Sequence, residues 1–452
     1  MLFHSPTFII FLLIFIAGLS WVKRDGKIIY ACIMSYIFYG WWYPPYVLIL
    51  FLLTLYAHFF AKYKLPSRTS RGVVVALGLL PLIVFKYSDF VFTNLNNFLG
   101  IPVPFMADWA LPIGISFITF TAIAFVLDSQ RNQAPASQNL WHTGLFLSFF
   151  PQLIAGPILR ASELMPQLTR IKLNLFEIKF ALLLFSFGAL KKVGIADQIA
   201  PYVDSIYSNT NAISPGDAWL VLYAFSIQIY GDFSGYTDMA LALAALCGVS
   251  LPENFNRPYL ASSIREFWTR WHMTLSRWLR DYLYIPLGGS RNGISGTVLA
   301  VMITMLLGGL WHGAAWTFVI WGALHGILIV IERLITIDRS PSIRFRWIRQ
   351  LFIFHFIAFA WIFFRTPSFE RAIKLFDSFG IPKDINFLLS SPIIPVLILS
   401  TILLHKFDTV QQVRILSERL PRSVLFPLSI MVILICAALS MNNPSAFIYF
   451  DF

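Results

Sequence analysis

Charge is scarce in this 452-residue sequence. Asp, Glu, Lys and Arg make up 12% of it, about half the roughly 25% of a soluble domain. Cysteine is rare as well: Cys32, Cys247 and Cys436 each stand alone in apolar surroundings. No CxxC pair exists, which excludes a thiolate metal knot, a CxxC redox centre and a disulfide framework; each thiol reads as a small buried residue. Several motifs are missing too. There is no HExxH, no GxxxxGK[ST] P-loop and no compact His/Cys/carboxylate set for a metal. Gly231-Asp232-Phe233-Ser234-Gly235 is spaced GxxSG, one residue too long for the GxSxG nucleophile elbow. No low-complexity segment and no inverted repeat of the transporter type is found.

Apolar runs are what the sequence has in excess. They recur from about 7–22 to about 424–441 along nearly the whole chain, far more than one soluble core can hide. The fold class is therefore an all-α polytopic membrane protein. Several runs fall short of the ~20 residues a straight crossing needs, so a count of roughly 10–13 crossings is expected, with the rest re-entrant or sunken. The first run carries its positive charges after the apolar stretch and has no A-x-A-like cleavage site, so it reads as a retained span.

The net charge of +12 lies in short clusters between the runs, a pattern that reports topology and not nucleic-acid binding. Lys23, Arg24 and Lys27, then Lys62, Lys64, Arg68 and Arg71, mark inside loops, whereas 88–109 carries Asp89 and Asp108 without a cation. Arg339, Arg344, Arg346 and Arg349 mark another inside loop, as do Lys406, Arg414, Arg419 and Arg422. Both termini then fall outside. Between 128 and 295 the runs are interrupted by Pro151, Pro157, Pro166 and Pro215 and by Gly144, Gly156, Gly231 and Gly235. Broken helices are tolerated in lipid only where protein or a water-filled cavity covers the freed backbone, so a cavity is expected there.

The stretch 253–291 is unlike the rest. It holds six arginines against three acids, with aromatics interleaved. Trp268, Trp271, Leu275, Trp278 and Tyr282 are spaced 3, 4, 3 and 4, one apolar stripe of a helix, and Arg270, Thr274, Arg277 and Asp281 follow the same spacing on another face. One amphipathic helix is expected, too charged to cross. It reads either as an interfacial anchor with snorkelling arginines or as a basic lip for an anionic substrate, since guanidinium groups pair bidentately with phosphates such as those of coenzyme A.

Two histidines accompany this stretch: His272 within it and His312 in Leu310-Trp311-His312-Gly313, between two apolar runs. An ionisable group at membrane depth is a functional candidate. A desolvated imidazole stays neutral and can accept a proton, as a general base must; the alternative is an imidazole that only packs. His4, His58, His142 and His405 lie near span ends, where an amphipathic ring is comfortable. His325 lies ~140° around from His312 on an uninterrupted helix, and His355 stands in an apolar run.

In order along the chain, SYIFYGWW (35–42), LPIGISFITF (111–120), FPQLIAGPILR (150–160), IYGDFSGYTDMA (229–240), the block from Asn254 to Arg291, LLGGLWHGAAWTFVIWGALHG (306–326) and the closing AFIYFDF (446–452) resemble the membrane-bound O-acyltransferase (MBOAT) family, in particular its bacterial branch of alginate O-acetyltransferase-like membrane subunits. The resemblance implies a ring of tilted transmembrane helices, with re-entrant and amphipathic segments, around a central tunnel. It implies one domain over 1–452, with N-terminal spans at 1–127, a catalytic core at 128–333 and C-terminal spans at 334–452. The family's catalytic histidine matches His312, and its second active-site polar residue matches His272. Trp311, Arg270, Trp271 and Arg277 would contact substrate, and Asp232, Ser234 and Tyr236 would line or brace the tunnel.

The resemblance further implies acetyl transfer from cytosolic acetyl-CoA, a substrate and not a resident cofactor, to hydroxyls of an extracytoplasmic polysaccharide. Transfer would run directly or through an SGNH-type partner outside the cytoplasmic (inner) membrane. Alginate, cellulose, peptidoglycan and teichoic-acid systems share this subunit type. No nucleic acid and no metal are expected. The broken middle helices also fit a transporter or export channel, and a third reading is a scaffold that only anchors a soluble transferase.

Overall fold

The computed structural model describes residues 1–100, 110–135, 139–208, 213–335, 343–442 and 447–448. Asp108, Arg339, the side chain of Arg344 and the closing residues after Asn442 other than Phe447 and Ile448 lie outside the described residues. Among those described, the regular elements are all helical, as an apolar chain that must satisfy its backbone without water requires. Six helices are long and apolar enough to cross a membrane: Pro44–Lys62, Arg68–Leu99, Gly293–His312, Trp316–Leu334, Phe345–Arg365 and Arg422–Met441. A seventh results if Ile393–Phe407 and Val410–Arg419, bent by 79°, form one broken span.

Several of the other apolar runs give helices short of that length, and local chemistry accounts for it. The run at 140–158 yields only Leu140–Ser148, after which Pro151 opens a separate short turn, Phe150–Leu153. The run at 28–43 stops at Gly40, ahead of Pro44 and Pro45. The run at 174–190 becomes the twelve-residue helix Ile178–Ala189 and then a π-helical turn, Leu190–Ala196. Conversely, Gly231 and Gly235 do not interrupt anything: Pro215–Leu246 is one helix of 32 residues.

The chain forms two compact units that interleave in sequence. The first comprises Met1–Ala189, Tyr236–Pro252 and Leu416–Ala438. Its N-terminal part is a cluster of phenylalanines: Phe150 meets Phe11 at 5.3 Å and Phe15 at 4.9 Å, both edge-on, as aromatic quadrupoles favour. The Ser35 hydroxyl accepts the Phe150 N–H at 3.2 Å, pinning the short turn to the Lys27–Gly40 helix. Cys32, Cys247 and Cys436 are all buried, unbridged and in this unit.

The second unit comprises Leu190–Gly235, Glu253–Ile415 and Leu439–Phe452. Its centre is the hairpin of Gly293–His312 and Trp316–Leu334. A Cβ on Gly309 would lie 2.2 Å from the Phe318 carbonyl oxygen, and one on Gly322 2.3 Å from that of Met305. The two backbones can approach this closely only because both residues are glycine. In lipid, where helices gain little from hiding apolar surface, such close packing is a main source of association.

The single amphipathic helix expected over 268–282 does not form. Ile264–Trp268 ends at Thr269, the chain turns through Arg270, Trp271 and His272, and Met273–Leu279 begins afresh before a π turn at Arg280–Tyr284. The period-3.6 pattern is real, but His272 at φ 42° breaks it. A left-handed backbone on a residue other than glycine costs about 1–3 kcal/mol and persists only where its surroundings hold it.

Candidate active site

The hairpin delivers His312. It is the last residue of its helix, and Gly313 leaves in an extended conformation. A Cβ at Gly313 would fall 2.0 Å from the Phe318 ring, so glycine is required for the chain to turn this tightly. The His312 imidazole is buried with three aromatic neighbours, all edge-on: Trp311 at 4.9 Å, Trp321 at 5.0 Å and Phe364 at 5.2 Å between centroids. These rings keep bulk water away.

His272 is delivered by Asn254. The Asn254 Oδ1 accepts the Thr274 N–H at 3.1 Å and the Thr274 hydroxyl at 2.9 Å, and lies 3.2 Å from His272 Nδ1. The Asn254 carbonyl accepts the Met273 N–H at 3.0 Å, and Asn256 donates its N–H to the Arg270 carbonyl at 2.9 Å. Four contacts from one asparagine thus hold the left-handed turn. Phe233 packs edge-on against the His272 ring at 4.7 Å. His272 lies in this turn and not in a candidate span; burial pushes its pKa down to about 3, so the ring is neutral near pH 7.

Trp311 unites the two. Its indole lies 6.0 Å from His272 and 4.9 Å from His312, edge-on to both. The residues singled out in two separate sequence blocks therefore meet across one ring.

The other expected site residues divide. Trp271 is fully buried, stacked on Phe267 at 5.6 Å and beside Trp361 at 5.1 Å, so it forms the wall behind the turn. Arg270 donates through Nε and Nη2 to Glu266 Oε1, at 3.1 and 2.8 Å, and through Nη1 to the Asn256 carbonyl at 3.2 Å. Arg277 is half-buried on Met273–Leu279. Asp232 is buried: its Oδ1 lies 2.6 Å from Lys192 Nζ, and its Oδ2 accepts the Ile448 N–H at 2.7 Å. Ser234 is buried on the same helix. Tyr236 belongs to the first unit, where it stacks on Phe3 at 4.6 Å, and is not grouped with the histidines.

Three buried residues around the site escaped the sequence reading. Lys192 sits between Asp197 and Asp232, 2.6 Å from each, and is fully buried. A lysine ending an apolar run, five residues before an aspartate, was the available signal. Asn254 stood inside the quoted block but had no charge to draw notice. His325 was set aside for its angle from His312 on a continuous helix, yet the helix is broken between them. Trp321 touches both rings, at 5.0 Å and 4.6 Å.

Among the described residues no group of three or more His, Cys, Asp or Glu could hold a metal ion. What the site brings together is two buried imidazoles in an aromatic enclosure. A model of the membrane-bound O-acyltransferase family matches residues 29–369. The chain belongs to that family. The probable alginate O-acetylase AlgI of Azotobacter vinelandii is 39% identical over 399 residues, covering 84% of this chain and 79% of the relative. The peptidoglycan O-acetyltransferase of Helicobacter pylori is 36% identical over 417 residues, covering 83% and 79%. The teichoic acid D-alanyltransferase of Bacillus subtilis is 28% identical over 283 residues, covering 57% and 70%. This family member is an O-acyltransferase and a multi-pass membrane protein, which decides for the enzyme over the transporter and the scaffold.

Proposed function

We propose that this enzyme moves acetyl groups from cytosolic acetyl-CoA to hydroxyls of a polysaccharide outside the cytoplasmic membrane, directly or through an extracytoplasmic SGNH-type partner. The observation that carries the reading is the meeting of His272 and His312 on the Trp311 indole. Relatives named for alginate and peptidoglycan O-acetylation support the acyl group and the acceptor class. The charge alternation favours both termini outside.

His312 acts as general base. Its imidazole takes the proton of the attacking hydroxyl as that oxygen bonds to the thioester carbonyl carbon. The tetrahedral intermediate collapses, the C–S bond breaks, and the departing CoA thiolate leaves with the proton returned by the imidazole. The ester is formed and His312 is neutral again. His272, on the other side of the same indole, orients the hydroxyl or faces the oxyanion. Arg270 and Arg277 serve the phosphates of the donor; Arg270 would do so by exchanging its Glu266 partner. Asp232 and Ser234 brace the enclosure, with Trp311 and Trp271 as its walls, and Tyr236 supports the same helix further on.

The test is transfer of radiolabelled acetyl from acetyl-CoA inside proteoliposomes to acceptor polysaccharide, and purified partner where needed, outside. Wild type is expected to label the outer polymer, and His312→Ala to lose this while still binding donor. Equal labelling by both proteins would remove His312 from the chemistry. Transfer of D-alanyl with no transfer of acetyl would remove acetyl-CoA as donor.

A further inference from the structure

The Asn254 amide fixes which nitrogen of His272 carries the proton. Its Oδ1 faces three groups: the Thr274 backbone N–H at 3.1 Å, the Thr274 hydroxyl at 2.9 Å and His272 Nδ1 at 3.2 Å. A backbone N–H can only donate, so the atom facing it must be the carbonyl oxygen, and the amide cannot be turned the other way. An oxygen that already accepts from Thr274 offers His272 only an acceptor. In a neutral imidazole one nitrogen donates and the other accepts. The hydrogen therefore sits on Nδ1, and the lone pair sits on Nε2.

We infer that Asn254 is a positioning residue that locks His272 in the Nδ1–H tautomer, so that Nε2 is a hydrogen-bond acceptor and His272 orients the attacking hydroxyl instead of donating to the oxyanion. The inference rests on the proposed acyl transfer and decides between the two roles left to His272 there. Geometry supports it beyond the single contact. The same asparagine holds the left-handed backbone of His272 through the Thr274 and Met273 N–H groups, so ring and main chain are set together. Phe233 and Trp311 pack against the ring edge-on, at 4.7 and 6.0 Å, and oppose a rotation that would exchange the nitrogens.

The experiment reads the tautomer without reading activity. Protein labelled with 15N-histidine is reconstituted in bilayers, and the His272 ring signals are assigned by their loss in His272→Gln. The expected spectrum has Nδ1 protonated and Nε2 bare at neutral pH. A proton on Nε2 in the wild type would overturn the inference, whatever the enzyme transfers. In Asn254→Ala the signals are expected to change to a tautomer mixture, with kcat down roughly 10²-fold and the donor KM little changed. Asn254→Asp keeps an acceptor toward Nδ1 and is expected to restore the wild-type tautomer and most of kcat. If Asn254→Ala keeps the wild-type tautomer, or if Asn254→Asp fails to restore it, Asn254 does not set it. If the tautomer behaves as expected while transfer is absent in the wild type as well, the proposed reaction fails and the Asn254 assignment stands.

Discussion

Lys192 Nζ lies 2.6 Å from Asp232 Oδ1 at a site fully closed to solvent. Asp197 Oδ1 stands at the same distance on the other side. One cation thus serves two carboxylates, on a π turn at Leu190–Ala196 that comes close to the long helix: a Cβ on Gly231 would lie 3.0 Å from the Lys191 carbonyl oxygen. Asp232 also fastens Ile448, whose neighbour Phe447 packs on Phe233 at 5.6 Å, and Phe233 packs on His272. Through these contacts the triad supports the segment that carries His272.

Removing the cation should therefore cost more than removing one carboxylate. Lys192→Met strands two buried acids, and breaking a buried pair in this way typically costs about 3–5 kcal/mol. Asp232→Asn leaves Lys192 paired with Asp197 and still offers a carbonyl to Ile448. Thermal unfolding in nanodiscs is expected to rank wild type first, Asp232→Asn second and Lys192→Met last. The reverse order of the two variants would show that Lys192 is not the keystone.

The hairpin makes a sharper steric prediction. Gly309→Ala places a methyl group 2.2 Å from the Phe318 carbonyl oxygen, which a rigid backbone cannot yield without the helices parting. A loss of about 1–3 kcal/mol is expected, with loss of turnover because His312 lies three residues further along. Gly72→Ala is the control: nothing lies within 4 Å of the new methyl, and exchanging a helical glycine for alanine should stabilise by up to ~1 kcal/mol. Similar Tm values for both variants would contradict the close packing of the hairpin.

Much of this was legible in the sequence, and the failures have a common cause. The apolar runs gave the fold class, the ordered blocks gave the family, and His272 and His312 do meet. The continuous helix over 268–282 was wrong because periodicity reports which faces are apolar, whereas the break at His272 is made by Asn254, 18 residues away in sequence. The expected interruption at Gly231 and Gly235 was wrong because glycine weakens a helix only where packing does not use it, and here Gly231 admits the Lys191 backbone. Two apolar runs give shorter helices than their length suggested, the one at 140–158 because Pro151 opens a new turn after Ser148 and the one at 28–43 because its helix ends at Gly40. Long-range partners, not local preference, decided the break at His272 and the unbroken helix at Gly231.

The histidines themselves should respond differently. His312→Ala is expected to lower turnover by about 10²–10⁴-fold, the usual worth of a general base, with donor binding retained. His325 is fully buried among Trp321 at 4.6 Å, Trp268 at 5.3 Å and Phe356 at 5.7 Å, a box that suits a phenyl ring. His325→Phe should cost less than ~1.5 kcal/mol and leave turnover near that of wild type. A collapse of turnover in His325→Phe with Tm unchanged would give His325 a part in the chemistry.

Acid should loosen the turn that precedes His272, through Glu266. This carboxylate accepts the Ser262 N–H at 2.7 Å and the Ser262 hydroxyl at 2.8 Å on Oε2, and the Arg270 guanidinium on Oε1. Burial alone would raise its pKa, but the Ser262 hydrogen bonds and Arg270 together take it below the ordinary glutamate value. A folded-state pKa below the unfolded one means stability that is fully present above the unfolded value, about 4.3, and that is lost as pH falls from there through the folded value. In Glu266→Gln that contribution is absent at every pH. The wild type should therefore exceed the variant in Tm at neutrality, and the gap should close across the acid window as Glu266 takes up its proton. Two Tm curves that fall in parallel across that window would show that Glu266 does not carry the acid sensitivity of this segment.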